Sequence, residues 1–336
     1  MVICLFLIDP LQIYHGLPIY MKGLLAHRSP LNQLLVFVGI ALFSFFTIGL
    51  LGTILLQEIT GISLDSLSNL SAKEISKPGL LTFLRGMQLI QFVGLFLIPA
   101  WIAARLFSYE PNRFLGLQAP NLNHFWFWSV LIMIISIPFI QFVGELNQRV
   151  VFPGGLKDWM QAQEKSAQET VHALLSANTL PDLFLNIIFV ALLAGVGEEL
   201  LFRGVVQRLL SRKYGRWTGI VVAALLFSAI HLQFYGFVPR FLLGMVLGIL
   251  FAYSGSLWIA MLAHFFYDAT LITAAFINPE LLKEESGIPL LQLVLPALIS
   301  LMLSVWVIRQ MIEHSAENPP QEPTYVSEDP HNPFST

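Results

Sequence analysis

The stretch Leu183 to Leu210 reads LFLNIIFVALLAGVGEELLFRGVVQRLL, an apolar run that carries Glu198, Glu199 and Arg203 inside it. Its 28 residues exceed the roughly 20 that cross a hydrocarbon core about 30 Å thick. The stretch therefore predicts a membrane-spanning helix. An ionisable side chain at the centre of a bilayer costs a few kcal/mol or more unless it is paired or hydrated. Three such side chains in one span predict a functional site within the membrane.

Composition supports the membrane assignment for the whole chain. Of 336 residues, 56% are apolar and 12% are charged, against about a quarter charged in an ordinary soluble domain. The formal net charge is -3, so the chain lacks the excess of basic residues that is typical of a nucleic-acid-binding protein. The single cysteine, Cys4, excludes an internal disulfide and a metal site built from several cysteines. The sequence predicts an all-α polytopic membrane protein.

About eight apolar runs are long enough, or nearly so, to span the bilayer, with turn-like residues between them. The shortest is the sixth, which ends at a Ser254-Gly255-Ser256 turn. The predicted spans are Leu31–Leu56, Leu80–Ala104, Phe125–Val143, Leu183–Leu210, Trp217–Phe234, Pro239–Tyr253, Leu257–Ile277 and Leu290–Ile308.

The spans divide the chain into five segments. Residues 1–30 form an N-terminal segment in which Met21 is the more natural start, so residues 1–20 are expected to be non-native. Residues 31–181 hold accessory helices 1–3 and an outer interfacial helix after Gly155, whose apolar residues recur at helical spacing. Residues 182–277 form a four-helix catalytic core and 278–312 the last span. The proline-rich segment 313–336 is predicted to be a disordered cytoplasmic tail.

Basic residues set the predicted orientation. Arg208, Arg212, Lys213 and Arg216 lie between the fourth and fifth spans with no acid among them, which is typical of a short cytoplasmic loop. With an even number of spans, both termini are then cytoplasmic. The remaining basic residues fall in longer outer loops that also contain acids, namely Lys73, Lys77, Arg149, Lys157 and Lys165. We predict an integral protein of the cell inner or plasma membrane.

Two adjacent acids in the fourth span have different expected roles. Glu199 and Arg203 are four residues apart, so they share a helix face and are expected to pair. Glu198 is turned about 100° away by the helical period. One acid is left over, and an ionisable residue without a partner in lipid is a candidate base. A purely structural ion-pair cluster is the alternative.

Two further spans carry histidines. The fifth span contains Phe227 and His231, and the seventh contains His264 and Asp268 at i and i+4, where the carboxylate can orient the imidazole. Residue counts along the helices allow Glu198, His231 and His264 to meet near the middle of the bilayer.

The ordered motifs Glu198-Glu199-x-x-x-Arg203, Phe227-x-x-x-His231 and His264-x-x-x-Asp268 resemble those of the CPBP family of CAAX proteases and bacteriocin-processing enzymes, also called the Abi family. The resemblance covers about residues 182–277. It implies an intramembrane endopeptidase with a wet cavity that opens to the cytoplasmic side, acting on a protein or peptide at or in the membrane.

The resemblance also implies roles for single residues. Glu198 matches the position that activates water, with His231 as its partner. Glu199 and Arg203 match supporting positions, and Phe227 belongs to the second motif. His264 is a candidate oxyanion donor.

One position departs from the pattern of the prenyl proteases, where the third motif typically ends in an asparagine, whereas this chain has Asp268. A carboxylate donates a hydrogen bond only when protonated. Three roles are open for Asp268: orienting His264, acting as a protonated donor, or binding a metal. No cofactor is required by the glutamate mechanism. Zinc is the alternative, with ligands drawn from His231, His264, Glu198 and Asp268.

Two other functions compete with a protease. A transporter would use Glu198, His231, His264 and Asp268 as a proton relay, but the sequence shows no internal repeat and no matching pair of broken helices. A catalytically silent immunity or scaffolding member of the same family would not need every motif residue. The expected partners are a protein or peptide substrate and the lipid bilayer, with no nucleic acid.

Overall fold

The computed structural model describes residues 22–63, 79–175, 179–282 and 289–320, and within these ranges the chain forms helices and no strands. Seven helices are long and apolar enough to cross a membrane. The predicted all-α polytopic membrane fold is therefore confirmed. Residues 1–20, Lys73, Lys77 and most of the predicted tail lie outside the described residues.

Ten α-helices and two short 3-10 helices follow one another along the described chain. The 3-10 helices are Phe234–Gly236 and Pro279–Leu282. The α-helices are α1 (Pro30–Thr60), α2 (Leu80–Phe107), α3 (Pro111–Leu115), α4 (Phe125–Gln148), α5 (Gly154–Leu175), α6 (Leu180–Tyr214), α7 (Arg216–Ala229), α8 (Phe237–Ser254), α9 (Leu257–Ile277) and α10 (Leu290–Glu317).

The fifth predicted span is shorter than expected. The sequence predicts it over Trp217–Phe234, whereas α7 ends at Ala229 after 14 residues, about 21 Å at 1.5 Å per residue. Leu232 follows with a φ of 56°, a left-handed conformation that a helix does not contain. His231 therefore lies in the connection between α7 and α8 rather than inside a helix. Within the described chain, seven full-length spans and one short helix replace the eight predicted.

Both ends of the described chain lie at one end of the bundle. Gly23 donates a backbone hydrogen bond to Arg105 at the end of α2, and Arg212 Nη1 donates to Gln33 Oε1 at the start of α1. Near the other terminus, Ser315 Oγ donates to the carbonyl of Tyr253. We call this end, which includes Arg212, Lys213 and Arg216, the basic end. The chain crosses the bundle an even number of times when α7 is counted.

The opposite end carries the predicted interfacial helix. This helix, α5, spans Gly154–Leu175, and its Trp159 ring lies 5.7 Å from the ring of Phe234 in the α7–α8 connection. Asn147, near the end of α4, donates to the carbonyl of Phe234 at 2.7 Å. The α7–α8 connection is thus held at the end of the bundle away from the basic residues.

The last helix extends further than the sequence suggests. The disordered tail is predicted to begin at residue 313, but α10 continues to Glu317. Ser315 is buried in this extension, where its hydroxyl bonds α8. Tertiary contact thus keeps this polar segment helical, and residues 321–336 lie outside the described residues.

Candidate active site

Helix α6 changes its winding on both sides of the acidic pair. It is a π-helix over Ile187–Leu192 and again over Leu200–Gln207, with seven α-helical residues, Leu193–Glu199, between them. Glu198 and Glu199 sit at the junction with the second π segment. Such wide turns occur often at functional sites, and they redirect side chains from the regular helical register.

A glycine lets α6 approach α9 closely. A Cβ built on Gly195 would lie 2.9 Å from the backbone nitrogen of Phe265, too near for any other residue without a shift. Phe265 follows His264 directly. Gly195 therefore allows the acidic pair of α6 to lie against the histidine of α9.

Glu199 is enclosed and strongly paired. Arg203 Nη1 donates to Glu199 Oε1 at 2.6 Å, and the two side chains are 1% and 0% exposed. Arg203 Nη2 donates to the carbonyl of Gly244 in α8 at 3.0 Å. The predicted pair is present, and it joins α6 to α8 as well as joining two turns of one helix.

His264 contacts the same carboxylate. Its Nδ1 lies 2.9 Å from Glu199 Oε1, and its Nε2 lies 3.4 Å from Asp268 Oδ2. The sequence predicts the contact with Asp268 from the i, i+4 spacing but not the shorter contact with Glu199, which joins residues 65 positions apart. A carboxylate accepts, so Nδ1 is the donor in this bond.

Glu198 faces both histidines without bonding directly to either. Its Oε1 lies 3.8 Å from His231 Nε2 and its Oε2 lies 3.9 Å from His264 Nε2, beyond the usual N–H···O length. Its side chain is 15% exposed, whereas that of Glu199 is fully enclosed. Spacings of this size between polar atoms leave a place for a bridging water molecule.

His231 is oriented by the backbone of the helix that precedes it. Its Nδ1 lies 2.8 Å from the carbonyl oxygen of Phe227, which only accepts, so Nδ1 carries the hydrogen. In the neutral ring Nε2 is then free to accept, and it is the atom that faces Glu198. Phe227 packs its ring against His231, His264 and Arg203, with the Arg203 guanidinium 4.8 Å from the ring centre.

Arg240 of α8 is a member of this region that the sequence reasoning missed. Its Nη2 donates to Gln233 Oε1 at 2.7 Å, and Glu198 and Glu164 of α5 are among the charges that act on it. The sequence does indicate Arg240, because it is a single arginine in the first turn of the otherwise apolar run Phe237–Ser254.

The donor atoms match zinc in kind but not in spacing. Two imidazole nitrogens and a carboxylate form a common zinc ligand set, whose donors stand about 3.4 Å apart when each is about 2.0–2.1 Å from a tetrahedral ion. The separations here are 3.8 and 3.9 Å. Within the described ranges, no group of three or more His, Cys, Asp or Glu side chains has the geometry to hold a metal ion.

The part of α6 between the acidic pair and the basic end is buried. All residues of Leu200–Gln207, which lead from the acidic pair toward that end, are buried. The most exposed side chains of the cluster are His231 and Asp268, at 27% and 26%, and His231 belongs to the connection at the opposite end. The partly exposed side chain of His231 therefore lies toward the end opposite the predicted cytoplasmic loop.

The fold and the cluster together define an all-α integral membrane protein with an acid and histidine site inside its helical bundle. The chain belongs to the Rce1-like family: a model of that family, described as type II CAAX prenyl endopeptidase Rce1-like, matches residues 180–270. The match runs from α6 into α9 and includes Glu198, His231, His264 and Asp268. The predicted family is confirmed.

Two curated bacterial relatives were found. The uncharacterized protein YpbD of Bacillus subtilis (strain 168) is 30% identical over 181 residues, which cover 52% of this chain and 82% of YpbD. An uncharacterized 24.3 kDa protein of Escherichia coli is 29% identical over 115 residues, which cover 33% of this chain and 52% of that protein. No solved structure matches the chain significantly.

Proposed function

We propose that this protein is an intramembrane endopeptidase that hydrolyses a peptide bond with water activated by Glu198 and His231. The observation that carries the proposal is the contrast between the two adjacent acids. Oε1 of Glu199 is held by Arg203 at 2.6 Å and by His264 at 2.9 Å, whereas Glu198 faces two imidazole nitrogens at 3.8 and 3.9 Å and bonds directly to neither.

Water between Glu198 and His231 is the proposed nucleophile. The carboxylate of Glu198 accepts one proton of the water, and His231 Nε2 accepts a hydrogen bond that fixes its direction. The water oxygen attacks the carbonyl carbon of the substrate, and the carbonyl oxygen becomes an oxyanion. Glu198 then passes the proton to the departing amine as the C–N bond breaks, which leaves a carboxylic acid, whose hydroxyl keeps the second proton of the water, and a free amine.

His264 is the proposed donor to the oxyanion. Glu199 fixes the ring through Nδ1 at 2.9 Å, while the contact of Nε2 with Asp268 is long at 3.4 Å. In this proposal His264 is the imidazolium, with hydrogens on both ring nitrogens, and its Nε2–H, which Asp268 holds only loosely, donates to the developing oxyanion. In this proposal Asp268 orients His264, and Phe227, Glu199 and Arg203 are supporting residues that hold the two rings in place.

A metal ion has no step in this mechanism. Should zinc bind, His231, His264 and Glu198 would hold it, with Asp268 as a further ligand, and the ion would supply Lewis-acid activation of water. The donors would first have to move closer together than the 3.8 and 3.9 Å they show. We therefore propose catalysis without a cofactor.

The proposed substrate is a protein or peptide at or in the membrane, and the lipid bilayer is the other partner; no nucleic acid is involved. We place the basic end in the cytoplasm of a cell inner or plasma membrane, with both termini cytoplasmic. The substrate then reaches Glu198 from the other end, where the side chain of His231 is 27% exposed. The finer specificity, for prenylated CAAX substrates, rests on the family alone.

Labelling in intact cells tests this orientation. A chain with Cys4 replaced by serine and Val151→Cys, at the end opposite the basic loop, should react with a membrane-impermeant maleimide added outside. Val151 is 85% exposed. A matched Tyr214→Cys chain, at the 50% exposed Tyr214 of the basic end, should react only after the cells are opened. The reverse pattern would place the site opening in the cytoplasm.

The hydrolytic function itself is tested with purified protein in lipid nanodiscs. Peptides with and without an S-prenylated cysteine are incubated in oxygen-18 water, and mass spectrometry detects the label in each new carboxylate. Wild-type protein should incorporate label, Glu198→Gln should not, and Glu58→Gln, an exposed acid at the end of α1, should behave like wild type. Absence of label with all peptides would favour a silent member of the family.

A further inference from the structure

A cavity lies at the basic end, remote from the acid and histidine cluster. Its volume is about 330 Å³, and its lining includes Arg208, Arg212 and Arg216 together with the polar side chains of Gln207 and Ser211. None of the described residues that line it is an Asp or Glu. Three guanidinium groups therefore share one cavity, and one of them, that of Arg212, also donates to Gln33 Oε1 at 3.0 Å.

The sequence places these arginines together by helix geometry. Arg208 and Arg212 are four residues apart on the last turns of α6, so they lie on one face. Gly215, with a φ of 89°, ends α6 and turns the chain so that Arg216 begins α7 beside them. The positive φ favours glycine at this position.

Aromatic rings hold two of the guanidinium groups. The Arg208 guanidinium lies 5.1 Å from the centre of the Phe251 ring, and that of Arg216 lies 4.8 Å from the centre of the Tyr253 ring. Arg208 Nε is buried and has no hydrogen-bond partner among the described residues. Stacked guanidiniums keep their planar N–H groups directed along the ring faces, and such groups suit two-point recognition of phosphate.

We propose that this cavity binds a phosphate group, supplied by the headgroup of an anionic phospholipid. Its size suits one headgroup, its described wall carries three arginines, and it lies at the end of the apolar helices where headgroups are found. Basic pockets between transmembrane helices on the cytoplasmic side are typical sites for such lipids. This site is separate from the proposed peptidase and does not depend on it.

The test measures binding of short-chain lipid to the full-length protein in detergent by native mass spectrometry. Dioctanoyl-phosphatidylglycerol is the probe, dioctanoylglycerol is the control without phosphate, and inorganic phosphate tests a soluble source. Phosphatidylglycerol should bind, and dioctanoylglycerol should not. Competition by inorganic phosphate at equal concentration would overturn the lipid assignment, because the ligand would then be soluble.

Matched variants connect this binding to the cavity. Arg212→Gln and Arg216→Gln should each weaken phosphatidylglycerol binding about tenfold, the loss expected for one charged hydrogen bond. Arg105→Gln is the control, since Arg105 lies at the same end but stacks on Trp101 at 3.6 Å, outside this cavity. Ala252→Leu, which fills the cavity and keeps every charge, should also weaken binding. Equal losses in Arg105→Gln, or no loss in the cavity variants, would overturn the proposal.

Discussion

Glu198 and Glu199 are neighbours of the same chemical type, yet they belong to two different regions of the polar cluster. Glu199 lies in an enclosed region with Arg203 and His264, at 2.6 and 2.9 Å, and none of its side chain is exposed. Glu198 lies in an open region with His231, where the two side chains are 3.8 Å apart and partly exposed.

The difference follows from the helical period, which turns adjacent side chains about 100° apart. Glu199 points toward Arg203 and Nδ1 of His264, while Glu198 points toward Nε2 of His264 and toward His231 in the connection after α7. Short bonds in a closed region fix geometry, and longer spacings in a partly exposed region leave space for water and substrate. The comparison assigns positioning to the enclosed region and chemistry to the open one.

Removal of the Glu198 charge should have the largest effect on activity. In Glu198→Gln the amide keeps the size of the side chain but accepts no proton, so peptide cleavage should fall by about 10²–10⁴-fold, the usual contribution of a general base. The melting temperature should stay near that of wild type because no short bond is lost. Kinetics and a thermal melt on the same nanodisc preparation check both. Cleavage within a few-fold of wild type would remove Glu198 from the chemistry.

Replacing Arg203, the cation of the enclosed region, should lower the free energy of unfolding. Arg203→Ala leaves Glu199 buried without its ion pair, at a cost of about 3 to 5 kcal/mol, and also removes the bond to the Gly244 carbonyl. We expect a lower melting temperature together with lower activity, measured in detergent against Arg113→Ala. Arg113 pairs with Glu110 at 3.2 Å in a half-exposed position, where such pairs contribute little. Equal decreases in melting temperature for Arg203→Ala and Arg113→Ala would contradict the stabilising role assigned to the enclosed region.

Local spacing predicts one class of contact in this cluster and misses the other. Glu199 with Arg203, and His264 with Asp268, are i, i+4 pairs whose contact follows from helix geometry, and both are present. The bond between His264 and Glu199 joins different helices, so it depends on how closely α6 and α9 pack. The sequence shows the glycines that allow such packing but does not specify which helix they meet.

The ends of the spans were harder to predict than their existence. Leu257–Ile277 has the predicted bounds, because the Ser254-Gly255-Ser256 turn before it is a strong signal. The predicted end of the fifth span was wrong because an apolar leucine, Leu232, adopts a left-handed conformation that no local preference favours. As a consequence, His231 moves from a helix into a connection, which is where the open region of the cluster lies.

A smaller loss of activity is expected when a larger side chain at Gly195 pushes α6 and α9 apart. Gly195→Ala places a Cβ 2.9 Å from the Phe265 backbone, and overpacking of this kind costs about 1–3 kcal/mol. The helices must shift, so His264 loses part of its bond to Glu199, and activity should drop several-fold while the fold is retained. Ala194→Ser, on the same helix, is a control for added size. A fully active Gly195→Ala protein would show that the close approach does not position His264.

The smallest effect is expected at Asp268, where the open and enclosed regions meet. Asp268→Asn introduces the residue type that the prenyl proteases typically carry at the end of this motif. The new amide still accepts from His264 Nε2 or donates to an oxyanion, but it is a much poorer metal ligand than a carboxylate. The bond that it replaces is already long, at 3.4 Å. We therefore expect Asp268→Asn to keep most of the wild-type activity, and strong chelators to leave the wild type active.

Metal analysis of purified protein, with cleavage assayed before and after chelation, is the measurement that separates the two roles of Asp268. A carboxylate that only orients His264 needs no ion, so wild type and Asp268→Asn should both cleave peptide after chelation. Stoichiometric zinc that is lost together with activity, and that restores activity on its return, would replace the glutamate mechanism. Asp268 would then be assigned as a zinc ligand rather than as a support for His264. In that case Asp268→Asn should bind zinc more weakly than wild type, because an amide is a poorer ligand than a carboxylate.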